Sequence, residues 1–337
     1  MRRVLKSVAL RVPPIRRMHE DRLRLYAQVD ELAAEVDRLR ERLWVEHSPF
    51  FHYRASFDAE AAIRRHAAPD RTAADGYVTN FLGARIDPQV LPDMLADRAG
   101  TLEDLPIPAN WHADIAEWAA VLRAVELAGA TFRMAELGCG WGCWMLNAGV
   151  AARRAGKAVE LTGIEGDAGH VALARAVLAT NGFGDDELRV VHGIAAATAG
   201  RALMPRAGAD GMSFDRGPVL QPTDPQVAEA AASGAYDVVD AVGLDDLVGD
   251  GAPLDLLHVD IQGGEAELVD AAAATLAAHV RYLVVGTHAR TIEGRLTERL
   301  LADGWRLEIE RPAIQTLDGD APAVVVDGVQ GWRNPRL

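Results

Sequence analysis

The spacing of apolar residues changes character along the chain. From His19 to Glu46 there is no proline or glycine, and Leu25, Val29, Leu32, Val36, Leu39 and Leu43 recur at alternating steps of four and three. That rhythm is a heptad seam, with Val29, Val36 and Leu43 at one core position and Leu25, Leu32 and Leu39 at the other. Branched residues at the first position and leucine at the second favour a parallel two-stranded coil. Glu35 and Arg40 then fall where they can pair between chains. The seam predicts a coiled-coil helix over 18–46 and a homodimer joined through residues 25–43. One amphipathic helix lying on its own domain fits the same residues.

Residues 47–110 lose this regularity. Pro49, Pro69, Pro88, Pro92, Pro106 and Pro108 cut the pattern into short helical pieces, as expected of an accessory region forming part of a substrate wall. Asn110 is placed to cap the next helix, whose apolar face is Trp111, Ile115, Trp118, Leu122 and Val125. From there the pattern predicts strands at 132–137, 159–164, 188–192, 254–260, 281–286, 305–310 and 322–326. Helices are expected at 142–155, 169–180, 264–278 and 292–303, the second ending at Asn181-Gly182. Such alternation predicts an α/β domain over 111–337, with a mostly parallel sheet of seven strands covered by helices on both faces. Residues 203–233 interrupt it. They are rich in glycine, proline and aspartate, and predict a long loop over one edge of the sheet.

Charge and cysteine content narrow the partners. A formal net charge of −14 supplies no large positive field for nucleic-acid phosphates, so no nucleic-acid partner is expected. Cys139 and Cys143 are the two cysteines, too few for a disulfide framework, which points to a reducing, cytoplasmic compartment. Without a nearby histidine they also make a poor zinc pair. No apolar run approaches the ~20 residues that span a bilayer. The basic start, residues 1–17, reads either as a solvated tail or as a peripheral contact with an anionic inner membrane face.

The candidate chemistry sits where predicted strands end. AELGCGWG (135–142) follows the first of them, and Gly138, Gly140 and Gly142 let the backbone turn sharply and approach a ligand. A dinucleotide fingerprint needs a third glycine at 143, where cysteine stands. Glu136 before the turn repels a pyrophosphate and suits a cationic amino-acid ligand. Glu165 ends the second strand, where a carboxylate can accept both hydroxyls of a ribose; a helix N-terminal acid is the alternative. His192 ends the third and can line an adenine pocket or be a satisfied buried histidine. HVDIQGGE (258–265) places Asp260 and Glu265 around the fourth strand's end, and His258 shares a face with Asp260 by the period of two. Glu265 opens a helix, a position that favours an acid whatever its role.

Together these residues resemble a Rossmann-like class I methyltransferase dependent on S-adenosylmethionine (SAM), and more narrowly the FkbM-type family of O-methyltransferases. Glu136, Gly138 and Gly142 match the acid–glycine turn, and Glu165 the ribose acid. Asp260, Gly263 and Glu265 match the strand-four signature, His288 the histidine after strand five, and Gly304-Trp305 the closing GW. The family usually has lysine where His258 stands and an acid where Gln262 stands.

The resemblance implies methyl transfer from SAM to a hydroxyl of a sugar, glycan or glycosylated natural product. The donor would be held by Glu136, Gly138, Gly140, Gly142, Glu165, His192 and Asp260. The catalytic expectation is His288 as the base, with Asp260 orienting the acceptor and Glu265 beside them. A histidine with an ordinary pKa of ~6.5 would make the rate rise through that titration. A divalent metal is possible but not favoured, because magnesium prefers oxygen ligands and the fifth strand offers a histidine. An NAD(P)-dependent oxidoreductase on a Rossmann fold and a non-catalytic SAM-binding scaffold are the alternatives.

Overall fold

The computed structural model describes residues 13–206, 217–248, 251–319 and 321–337, apart from the side chains of 15, 16, 37 and 40–47. The basic stretch 1–12, the side chains of Arg40 and Leu43, and part of the 203–233 segment therefore lie outside the described residues. The chain divides into two units, Met1–Phe51 and His52–Leu337.

In the first unit, Pro13–His47 is one continuous helix. Leu25, Val29, Leu32, Val36 and Leu39 are each 44–64% exposed along it. This is a single helix with these five seam residues exposed, and among the described residues no coiled coil is evident. Among the described residues no helix is long and apolar enough to cross a membrane.

The second unit is built on an eight-stranded sheet: β1 (Arg54–Ala55), β2 (Thr131–Leu137), β3 (Ala158–Glu165), β4 (Leu188–His192), β5 (Leu256–Val259), β6 (Tyr282–Thr287), β7 (Arg306–Arg311) and β8 (Gly328–Arg333). Their spatial order is β1-β7-β8-β6-β5-β2-β3-β4. Strands β4-β3-β2-β5-β6 run parallel, whereas β8 is antiparallel to both β6 and β7, and β1 is antiparallel to β7. The sheet is thus mixed and one strand larger than expected. Its last strand is β8, and the expected strand near 322–326 forms a separate two-stranded hairpin, Ala323–Val326 with Ile314–Thr316.

Helices α1 (Ile115–Leu127), α2 (Cys143–Arg154) and α3 (Ala168–Thr180) cover one face; α4 (Glu265–Ala271), α5 (Ala273–His279) and α6 (Arg290–Ala302) cover the other. β5 and β6 are buried along their whole length, which explains their unbroken apolar runs. The expected helix over 264–278 breaks at Ala272 into α4 and α5. Asp114, rather than Asn110, caps α1 by accepting from the N–H groups of Ala116 and Glu117, and Arg311 of β7 pairs with its other oxygen. Asn110 instead accepts from Ala113 N–H in the turn before.

Residues 52–110 of the accessory region belong to the second unit. Ile63, Phe81, Leu82 and Ile86 are buried in the same cluster as Trp118 and Phe132, with Phe81 edge-on to Trp118 at 4.8 Å. The 203–233 segment is not one long loop. Ile194–Ala195, Gly200–Pro205, Val219–Leu220 and Tyr236–Val242 form a second, four-stranded sheet. The helix Asp224–Ser233 beside it opens with a Thr223–Gln226 capping box.

Candidate functional site

The strand sequence reverses direction between β2 and β5: the chain steps outward from β2 to β3 and β4 on one side, and from β5 to β6 on the other. A ligand crevice is expected beyond the carboxyl ends at such a point. A cavity of about 390 Å³ opens there, large enough for a small organic ligand.

One wall is backbone. Gly138 has φ +75°, and a Cβ on it would stand 1.9 Å from the Asp260 carbonyl oxygen, so no side chain fits where the turn crosses β5. Gly140 N–H donates to Glu165 Oε2 at 2.8 Å, and Asp167 N–H donates to Oε1 at 2.8 Å. Each oxygen keeps a second lone pair, and Glu165 lines the cavity, so it can still receive a diol. Gly142 plays a different part. It caps α2 at φ +80°, and a Cβ there would press on Ala174 and Leu178 of α3 at 3.2 Å. Glu136 is 2% exposed and accepts from Trp144 and Met145 N–H at 3.2 and 2.8 Å, at the start of α2. Burial pushes its carboxyl up to about 7.

His192 does not reach the cavity. Its ring is exposed, with Nε2 3.0 Å from the Gly166 carbonyl oxygen, and the wall after β4 is made by Gly193, Ile194 and Ala195. The apolar part of this end is completed by Ile164 and Met204.

The opposite wall is built from charge. His258 on β5 lies beside Glu136 on β2 in register, and its Nε2 meets Glu117 Oε1 of α1 at 2.9 Å. Burial alone would lower His258, but the contact with Glu117 and the nearby acids outweigh it and hold the imidazole above its usual range. Asp260 lines the cavity from the end of β5. Behind it, His288 Nε2 lies 3.2 Å from Asp260 Oδ1, a charge contact rather than a well-aligned hydrogen bond. His288 Nδ1 lies 2.9 Å from Oε1 of the fully buried Glu265. Asp327, just before β8, adds a third carboxylate 4.0 Å from Nε2.

Burial would lower His288, yet Asp260 and Glu265 raise it to about 10, and His288 in turn holds Asp260 below the usual carboxylate range against the effect of burial. This changes the expected chemistry. An imidazole between two carboxylates is a cation across neutral pH, not a free base titrating near 6.5. Asp260, Glu265 and His288 also bring one ligand atom each within 4.8 Å of one another, the spacing a metal ion would need. A carboxylate faces each ring nitrogen, so one imidazolium balances one of the two acids and the cluster keeps a net negative charge.

Of the residues expected at the site, Asp260, Glu265 and His288 lie together, and Glu136, Gly138, Gly140 and Glu165 line the cavity. Sequence reasoning missed Glu117 and Asp327, which reach the site from α1 and the turn before β8, and the cavity-lining aromatic rings of Trp111, His112, Trp141 and Trp144. The WG of the glycine turn was the available signal for Trp141. Nothing local marks Glu117 or Asp327.

Fold and cavity define a Rossmann-like α/β protein with its ligand crevice at the β2/β5 switch. A protein of Jannaschia sp. (strain CCS1) named "Putative methyltransferase" is 42% identical over 275 residues, spanning 82% of this chain and 98% of that one. The chain belongs to that methyltransferase family. No protein-family model matches it. Among solved structures, methyltransferase FkbM from Methylobacillus flagellatus KT gives a TM-score of 0.40 at 16% identity, covering 65% of this chain and 54% of that one. A METTL16 methyltransferase domain gives 0.38 at 13% identity, covering 87% and 91%.

Proposed function

We propose that the protein transfers a methyl group from SAM to a hydroxyl of a sugar or glycan. The observation that carries this reading is the division of one cavity into a backbone turn with a diol-accepting acid, Glu165, and an acceptor-facing carboxylate, Asp260. Glu136, Gly138, Gly140 and Glu165 fit the donor's polar groups, and Ile164, Ile194, Ala195 and Met204 supply an apolar seat for its base. SAM, when bound, supplies an electrophilic methyl group on a sulfonium.

The chain's own residues do the rest. Asp260 accepts the hydrogen bond of the acceptor hydroxyl and fixes its orientation, which is the main need of a displacement reaction. His288, charged and anchored by buried Glu265, holds Asp260 in place. The hydroxyl proton leaves toward the Asp260 carboxylate, whose side chain is 41% exposed and can pass it to water. His288 therefore acts on Asp260 more than on the acceptor, a change of role from base to positioning residue.

For the N-terminal helix we propose pairing with a second copy of the chain. The apolar seam supports it, as does the placement of Glu35 and Arg40 at flanking heptad positions. Light scattering at micromolar concentration should give a dimer mass that falls to a monomer when residues 1–46 are removed. The transfer reading is tested by incubating the protein with methyl-labelled SAM and a panel of nucleotide sugars and oligosaccharides. Label should enter a sugar hydroxyl, and donor binding with label entering only a nitrogen or carbon acceptor would refute it.

A further inference from the structure

One group at the cavity has no part in that account. Glu117 lines the cavity with its side chain 14% exposed, and its Oε1 is held by the Nε2 of a histidine that is 1% exposed. An acid in the first turn of a helix is ordinarily explained by the positive end of the helix. Here that service is already performed: Asp114 accepts the N–H of both Ala116 and Glu117 itself. The Glu117 carboxylate instead reaches β5 to meet His258, a long-range pairing that costs desolvation unless it serves the cavity or is well compensated.

The surroundings have the composition of a cation site. Trp144 lies 5.5 Å from His258, ring centre to ring centre, and Trp111 stacks on Trp141 at 5.8 Å, all four lining the cavity. Aromatic faces attract an organic cation; burial raises the Glu117 carboxyl, and His258 beside it favours its charged form. Glu136 accepts from two backbone N–H groups at α2 and Asp260 faces His288, whereas Glu117 meets a single side chain, His258. A second buried atom calls for the other end of an amino-acid ligand. His258 Nδ1 has no hydrogen-bond partner, although the ring sits on the cavity wall. With Nε2 on Glu117 and the imidazole held in its charged form, Nδ1 is an N–H donor, and an acceptor such as the carboxylate of an amino-acid ligand would relieve its burial.

We propose that Glu117, positioned by His258, is the counter-ion for the α-ammonium group at the methionyl end of the donor, with Trp111, Trp141 and Trp144 enclosing that end. This rests on the SAM reading and assigns to α1 a binding residue that the glycine turn does not supply.

The test is a binding cycle by calorimetry, independent of turnover. It uses S-adenosylhomocysteine and its analogue with the amino group replaced by hydrogen, on the wild type and on Glu117→Gln. The wild type should prefer the amino-bearing ligand by roughly 10–100-fold, and Glu117→Gln should bind both with nearly the same, weaker affinity. Glu117→Asp, which keeps the charge on a shorter stem, should retain part of the preference. Should Glu117→Gln keep the full preference, or the wild type show none, the assignment to Glu117 fails. The wild-type arm decides this even if the glutamine variant does not fold. If the wild type binds neither ligand, the SAM reading itself falls, a result distinct from either of these.

Discussion

The two walls of the cavity are made differently. On the β2–β3 side the polar work falls on the main chain: a turn through Gly138 and Gly140, and a carboxylate, Glu165, held by two backbone N–H groups. On the β5–β6 side it is carried by side chains from distant parts of the chain: Glu117, His258, Asp260, Glu265, His288 and Asp327. A backbone wall is set by local conformation and tolerates little change. A charged wall is set by mutual compensation, so its members take their properties from one another.

The largest effect should come from breaking the backbone wall. Gly138→Ala forces a methyl group to 1.9 Å from the Asp260 carbonyl oxygen at a positive φ, so the turn must move. S-adenosylhomocysteine affinity measured by calorimetry should fall by roughly 100-fold or more, a loss on the scale of severe local strain. Near-normal affinity would mean that the turn adapts and the wall is less rigid than its geometry implies.

The charged wall should fail by degrees. With an acceptor in hand, Asp260→Ala should lower the single-turnover rate on the order of 10²–10³-fold through loss of the group that meets the hydroxyl. His288→Ala leaves Asp260 present but unheld, and a smaller loss of about 10–100-fold follows from misplacement alone. If His288→Ala were the more damaging of the two, the histidine would be acting on the acceptor directly. The smallest effect expected is that of a chelator. Because the imidazolium sits between the acids, added EDTA should leave the rate unchanged, and a rate restored only by magnesium or manganese would place an ion in the cluster instead.

The same contrast explains what the sequence made legible. The parallel strands and their helices were readable because periodicity and apolar runs are local; the glycine turn was a weaker signal, since Gly142 serves the start of α2 and its packing on α3. The mixed edge was not: β8 reads GVQGWR, with two glycines and no clean alternation, while AVVV at 323–326 looks like a better strand yet pairs only in a hairpin. The small second sheet was hidden by the glycines and prolines around it, although Thr223 and Gln226 carried a capping signature. At the site, Asp260, Glu265 and His288 could be brought together by strand order. The protonation of His288 could not, since it depends on carboxylates converging through tertiary structure. Glu117 stands 141 residues from its partner His258, and no local pattern marks it.

The central claim is that His288 is a fixed cation that holds Asp260, not a base that titrates at neutral pH. It can be tested on the protein alone, by following the imidazole nitrogens of ¹⁵N-histidine-labelled protein by NMR from pH 5 to 10.5, with His288→Gln to assign the signal. Because its pKa is raised, the ring should be charged at every pH below its titration and neutral only above it. The account predicts that both His288 nitrogens stay protonated through pH 8 and release a proton near pH 10. A His288 signal that becomes neutral between pH 6 and 7 would contradict it and return the histidine to the role of base.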